Sequence, residues 1–125
     1  MSRERGQSTV AVLGVLGALV ASTVGALDLA RAVNAAHVAR AAADLAALAG
    51  AGAGVRGAGA GEACAQASRL AALNHAQLVA CAVPGEGSVE VSVTATSGGP
   101  WPRTARASAR AGPGSARRDL ETVSA

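Results

Sequence analysis

The apolar residues of this chain are concentrated near its N-terminus. Residues 10–27 read VAVLGVLGALVASTVGAL and contain no charged side chain. As a helix this run would span roughly 27 Å, close to the hydrocarbon thickness of about 30 Å. Arg3 and Arg5 precede the run and Asp28 follows it, which favours an N-terminus on the cytoplasmic side. The pattern predicts a transmembrane helix, and the alternatives are a signal peptide and a buried helix of a soluble protein.

Helix-favouring composition continues beyond the apolar run. Residues 28–49 contain no Pro or Gly and are rich in Ala, Leu and Arg. Their polar residues recur every three to four positions, as on one stripe of a helix. Gly50 then supplies a stop signal. We predict a basic leader at residues 1–7 and one transmembrane and rod helix over residues 8–49, about 60 Å long.

Small residues form two stripes within the apolar run. Such stripes allow helices to approach each other closely in lipid or in a helical assembly. The frequency of Ala and Gly in this chain would by itself produce a similar pattern. The candidate helix-packing face consists of Gly14, Gly17, Ala18, Ala21, Ser22 and Gly25.

The pattern changes after the rod. Residues 50–61 read GAGAGVRGAGAG, which predicts a flexible Gly-rich linker. Residues 62–74 predict a short helix, with Ala63, Ala67 and Leu70 on its apolar side. Residues 112–125 show no periodicity and predict a disordered tail.

Alternation of apolar and polar residues predicts a small sheet between the short helix and the tail. Residues 89–96 read VEVSVTAT, which is the pattern of a strand with one buried face. Residues 78–83 predict a preceding strand, joined to it by a hairpin at the Pro-Gly run of residues 84–88. Residues 104–111 alternate Ala with polar residues and predict a weak third strand. Residues 62–111 are therefore predicted to form one small α+β cap.

Cys64 and Cys81 fall on the short helix and the first strand. If the N-terminal segment exports this region, both lie in an oxidising space. Domains this small usually need a cross-link. We therefore favour a structural disulfide, worth about 3 kcal/mol, over two free thiols.

The predicted fold class is α+β: a long N-terminal helix, then a small disulfide-tied helix with an antiparallel sheet of two or three strands. The core is predicted to contain Leu70, Leu78, Val79, Val83, Val89, Val91, Val93 and Trp101.

Composition and charge narrow the range of functions that this chain can have. Trp101 is the only aromatic residue, and the net charge is +3 with 11 Arg and no Lys. A core without aromatic residues does not suit an enzyme that must build a deep pocket. Two Cys and one nearby His, His75, fall short of four metal ligands. We predict no catalytic site, no metal, no cofactor and no small-molecule substrate.

Nucleic-acid binding is a further alternative, since several Arg residues follow the second strand. The positive excess is small, however, and one aromatic residue offers little base stacking. A solvated strand face and tail explain these residues as well. They are Arg103, Arg106, Arg110, Arg117 and Arg118.

Several segments resemble known families. Residues 5–10, RGQSTV, look like the start of TadE-like pseudopilins, and the layout of helix and cap resembles the type IV pilin architecture. Residues 41–50, 64–74 and 81–83, followed by the alternating strand, resemble the actinobacterial family called helicase/secretion neighbourhood TadE-like protein. The resemblance covers roughly residues 3–113.

The resemblance implies a membrane-anchored minor pseudopilin, a structural component of a Tad/Flp-type pilus or related secretion system. Its cap would lie outside the cytoplasmic membrane, and its partners would be pilin-like subunits or a Tad-type secretion platform. Prepilin-type cleavage would fall between Gly6 and Gln7. The fifth residue of the mature chain would be Ala11, where pilins have Glu, and His75 stands where the family has Gly. The alternative is a small secreted protein whose signal peptide, residues 1–26, is removed.

Overall fold

The computed structural model describes residues 2–85 and 87–113, with side chains from Gly6 onward. Two helices, α1 (Ser2–Val55) and α2 (Ala60–Leu73), precede three strands. The strands are β1 (Gln77–Gly85), β2 (Ser88–Thr96) and β3 (Thr104–Ala111). The predicted α+β class and the order of its elements are confirmed, including the third strand. The predicted tail at residues 112–125 lies outside the described residues from 114 onward.

Helix α1 is 54 residues long and corresponds to about 81 Å at 1.5 Å per residue. The described side chains of α1 before Asp28 are all exposed. The cap, formed by α2 and the sheet, packs on its second half. The buried residues that α1 contributes are nearly all Ala: Ala35, Ala39, Ala42, Ala43, Ala46, Ala47, Ala51 and Ala53.

The predicted linker at residues 50–61 is wrong for its first half, because α1 continues to Val55. Gly50 is buried, and a Cβ placed on it would lie 3.0 Å from Val89 Cγ1 and 3.1 Å from the Ala63 carbonyl oxygen. Glycine therefore serves close packing of α1 against α2 and β2 here, and not flexibility. Helix α1 ends where Gly57 adopts a φ of 88° and the Ala58 N–H donates to the Ala53 carbonyl at 3.1 Å.

The three strands form one antiparallel sheet in the order β1-β2-β3. Strand β2 pairs with β3 without a register shift, from Val89 opposite Ala111 to Thr96 opposite Thr104. The inward residues of β2 are almost fully buried against α1 and α2, as the strict alternation predicts. They are Val89, Val91, Val93 and Ala95.

Three residues predicted for the core lie outside it. Leu70 of α2 is only partly buried and does not belong to the core cluster. Val79 is 44% exposed because its neighbour Leu78 packs on the core, and successive side chains of a strand point to opposite faces. The register shift between Leu78 and Ala80 then brings Cys81, and not Ala80, to the inner side. Trp101 is 63% exposed in the loop between β2 and β3. The core therefore consists of Val and Ala, with Leu78 and Val83 packed at its margin.

The predicted disulfide between Cys64 and Cys81 is confirmed, with Cα atoms 5.9 Å apart. It joins α2 to β1. Helix α2 ends at Asn74, whose side-chain amide donates to the Leu70 carbonyl at 2.8 Å. His75 follows with a φ of 58°, the left-handed conformation that favours Gly. The left-handed backbone at this position thus explains why Gly is expected there.

Candidate assembly and membrane-contact surfaces

The apolar half of α1 carries more than half of the exposed large apolar side chains in the described part of the chain. Among the described helices, α1 is the one that is long and apolar enough to cross a membrane, a test that a signal sequence also passes. Its hydroxyl groups bond within the helix: Ser22 Oγ donates to the Ala18 carbonyl at 2.8 Å and Thr23 Oγ1 to the Leu19 carbonyl at 2.9 Å. The run therefore presents little unsatisfied polarity to lipid.

The predicted helix-packing face lies on this open surface. A Cβ added at Gly14, Gly17 or Gly25 would meet nothing within 4 Å. Ala18, Ala21 and Ser22 are exposed as well. These residues stay exposed within the described part of the chain, and only Gly25 also borders the loop between β2 and β3. Their packing role stays a prediction.

Further exposed apolar residues lie on the rod half of α1. They are Leu29, Val33, Leu45 and Leu48, and we call these four residues the rod face. They continue the exposed apolar surface of residues 10–27 beyond the predicted membrane span. His37, by contrast, borders a groove with Arg106 and Ala107 of β3.

The loop between β2 and β3 folds back onto α1. Arg103 Nε donates to Asp28 Oδ1 at 3.1 Å, and Arg103 Nη2 donates to Asp28 Oδ2 in an ion pair. The loop is also closed on itself: the Ser97 N–H donates to the Arg103 carbonyl at 2.8 Å, and the Arg103 N–H donates to Ser97 Oγ at 3.1 Å. The base of the loop is thereby held beside the first residue after the apolar run.

This ion pair shifts the pKa values of both side chains that form it. The hydrogen bond from Arg103 lowers the pKa of Asp28, which lies just outside residues 10–27, and the charges of Arg103 and Arg31 act in the same direction. The hydrogen bond to Asp28 raises the pKa of Arg103. Arg31 also packs against the loop, since a Cβ on Gly99 would lie 3.3 Å from Arg31 Cζ.

A groove of about 480 Å³ lies between the loop and the last turn of the apolar run. Val24 and Gly25 form its helix wall, and Trp101 and Pro102 form its loop wall, with the ion pair at one end. Sequence reasoning missed this site. The available signals were a carboxylate directly after an apolar helix and an aromatic residue between two prolines, but nothing local pairs them.

The outer face of the sheet is polar. Ser92 and Ser108 share a hydrogen bond of 2.7 Å between their hydroxyls. Glu90 stands opposite Arg110 in the β2–β3 register, and Arg103 is bound to Asp28. Two Arg residues of the nucleic-acid hypothesis are thus placed beside carboxylate-bearing residues. Its remaining members in the tail, Arg117 and Arg118, lie outside the described residues.

The other predicted positions are distributed along the chain. Gly6 and Gln7 are exposed within α1, so cleavage between them stays a prediction. Within the described ranges, no three His, Cys, Asp or Glu side chains gather as a metal site requires. His75 is exposed at the end of α2.

Comparison with known proteins found a similarity to a protein family in the N-terminal part of this chain. Residues 6–53 match the model of the Tad family, described as Flp pilus-assembly TadE/G-like. No curated protein and no solved structure gave a match. The family is one of pilus-assembly components and not of enzymes. The resemblance to TadE-like proteins is confirmed at this level, while the narrower actinobacterial family stays a prediction. Over residues 6–53, which lie within α1, the chain is thus similar to the TadE/G-like Flp pilus-assembly family.

Proposed function

We propose that this chain is a membrane-anchored minor pseudopilin, a structural and assembly component of a Tad/Flp-type pilus or related secretion system. One observation carries the proposal. The family match begins at residue 6 and ends at residue 53, so it follows α1 almost from end to end and stops before α2. What the chain has in common with the family therefore resides in the helix.

The orientation follows from two independent features. Arg3 and Arg5 precede the apolar run, which favours an N-terminus in the cytoplasm. The Cys64–Cys81 disulfide requires an oxidising space to persist, as outside the cytoplasmic membrane. Both features support a cap on the outer side of a single membrane span.

The assembly contacts are made by α1. In the bilayer, the stripes around Gly17 and Gly25 allow a second helix to approach closely. Above the bilayer, the rod face offers exposed Leu side chains to another helix. The partners are the N-terminal helices of other pilin-like subunits or a Tad-type platform protein in the membrane.

Site-specific photo-crosslinking in the native host tests these contacts. A photoreactive residue at Leu48, 62% exposed on the rod face, is expected to link the chain to other membrane-anchored pilin-like proteins. The same residue at Ser108, on the outer face of the sheet, is the matched control and is expected to give far less product. Equal labelling at both positions, or none at Leu48, contradicts a pseudopilin role for α1.

The intact mass of the mature chain tests processing. A start at Gln7 supports prepilin-type cleavage, with Ala11 tolerated at the position of the pilin Glu. A start at Leu27 overturns the proposal and leaves a small secreted protein. An uncut chain in the membrane supports an anchor that is not matured as pilins are.

A further inference from the structure

We infer that the loop between β2 and β3, residues 97–103, lies in the lipid headgroup layer at the outer surface of the membrane, with Trp101 as its anchor. This inference rests on the proposed function in one respect, namely that α1 spans the membrane. It assigns the cap a second contact with lipid, separate from the helix.

The position of the loop along α1 carries the first step. The apolar run ends at Leu27, so a bilayer that encloses it has its outer interface near the last turn of the run. Val24 and Gly25 belong to that turn, and they line the same groove as Trp101 and Pro102. The indole therefore lies at the level where hydrocarbon gives way to headgroups.

The loop is held at this level. Asp28 binds Arg103 through two side-chain hydrogen bonds, and Arg31 packs on Gly99. The other end of the cap is fixed far from the bilayer, where Gly50 of α1 packs against Val89 of β2. A cap attached at both ends cannot lift the loop away from the membrane without breaking the ion pair.

The chemistry of the loop suits this layer. Trp combines a large apolar body with an N–H donor, which is why it is enriched at membrane interfaces. Trp101 is 63% exposed, so its ring is available to lipid. Arg31 and Arg103 against the single charge of Asp28 leave a local positive excess, which favours anionic headgroups.

Trp101 is the only Trp in a chain without Tyr or Phe, so protein fluorescence reports on this loop alone. The full chain is reconstituted into vesicles of phosphatidylethanolamine and phosphatidylglycerol, and flotation verifies its association with lipid. Quenching is then measured with aqueous acrylamide and with lipids brominated near the headgroup. We expect weak quenching by acrylamide and strong quenching by the brominated lipid.

The matched control moves the indole away from the bilayer. Val55 is 74% exposed at the far end of α1, about 40 Å along the helix axis from Asp28. The double variant W101F/V55W is expected to show acrylamide quenching several-fold stronger than the parent chain and none by the brominated lipid.

The outcomes separate this inference from the proposed function. If the chain floats with the vesicles and Trp101 is quenched by acrylamide as fully as the indole of W101F/V55W, the loop is in water and the inference is overturned while the anchor stands. If the chain does not float, both are overturned. A folded cap is verified in each sample by its resistance to protease.

Discussion

Asp28 and Arg103 lie 75 residues apart in the chain and meet through two side-chain hydrogen bonds. The contact fixes the β2–β3 loop beside the first residue after the apolar run. At the other end of the cap, Gly50 packs against Val89, about 33 Å further along α1. These two contacts define how the cap is seated on its helix.

The Asp28–Arg103 contact is expected to respond to acid. Because the pKa of Asp28 is lowered in the folded chain, the contact stabilises the loop above the ordinary Asp pKa of about 3.9 and is lost as the pH falls through the lower folded value. Arg103 stays charged throughout. We expect a change in Trp101 fluorescence below about pH 3.9 in detergent-solubilised chain.

Two variants check that assignment. D28N is expected to show the acid spectrum already at neutral pH and to lose the transition. E90Q removes a carboxylate on the outer face of the sheet and should leave the transition in place. A transition unchanged in D28N would show that another group titrates.

Two glycines of α1 are expected to respond in opposite ways to alanine. G52A should stabilise the chain by about 1 kcal/mol through helix propensity, since its new Cβ would meet only the flexible Arg56 side chain at 3.5 Å. G50A gains the same propensity but forces a methyl group against Val89 and the Ala63 backbone, and overpacking costs about 1–3 kcal/mol. Thermal unfolding by circular dichroism should rank G52A above G50A; the reverse order would contradict the packing role of Gly50.

H75G is expected to raise stability by about 1 kcal/mol, because Gly adopts the left-handed conformation of this position without steric cost. The control N74G should lower stability, since Asn74 has a φ of −103° and its side chain donates to the Leu70 carbonyl. Chemical denaturation of both variants compares them directly. A loss of stability in H75G would indicate that the imidazole makes a contact that outweighs the backbone cost.

Removing the disulfide with C64A/C81A is expected to cost about 3 kcal/mol, mainly because the unfolded chain regains the entropy that the cross-link removes. The parent chain should lose a similar amount on addition of reductant, whereas the double variant should be insensitive to it. Denaturation with and without reductant makes both comparisons. A reductant effect that persists in C64A/C81A would point to a cause other than this bridge.

Local patterns predicted much of the fold. Strand β2 alternates strictly, so its buried face could be identified from period alone, and β3 follows the same rule with Ala in place of Val. The disulfide was predictable because a small cap with few bulky residues needs a cross-link. The apolar run of α1 could be predicted as a long helix from its length and its lack of charge alone.

The sequence was misleading where distant contacts override local preference. Gly50 predicts a helix stop, but its missing side chain is what lets α1 approach Ala63 and Val89. Leu78 and Val79 are both apolar and strand-favouring, and because Leu78 packs on the core, Val79 faces outward. The position of Trp101 depends on an ion pair across 75 residues, which no local period encodes.

The unbroken course of α1 has a mechanical consequence. With the cap seated on the same helix that forms the apolar run, no hinge between them absorbs a twist or an axial pull. Inserting one residue within residues 10–27 would turn the cap by about 100° and raise it by about 1.5 Å relative to the N-terminal half of the helix. Seven inserted residues would nearly restore the original angle but lift the cap by about 10 Å. The helix therefore transmits rotation without a hinge, and the direction in which the cap faces is set by the number of residues in the apolar run.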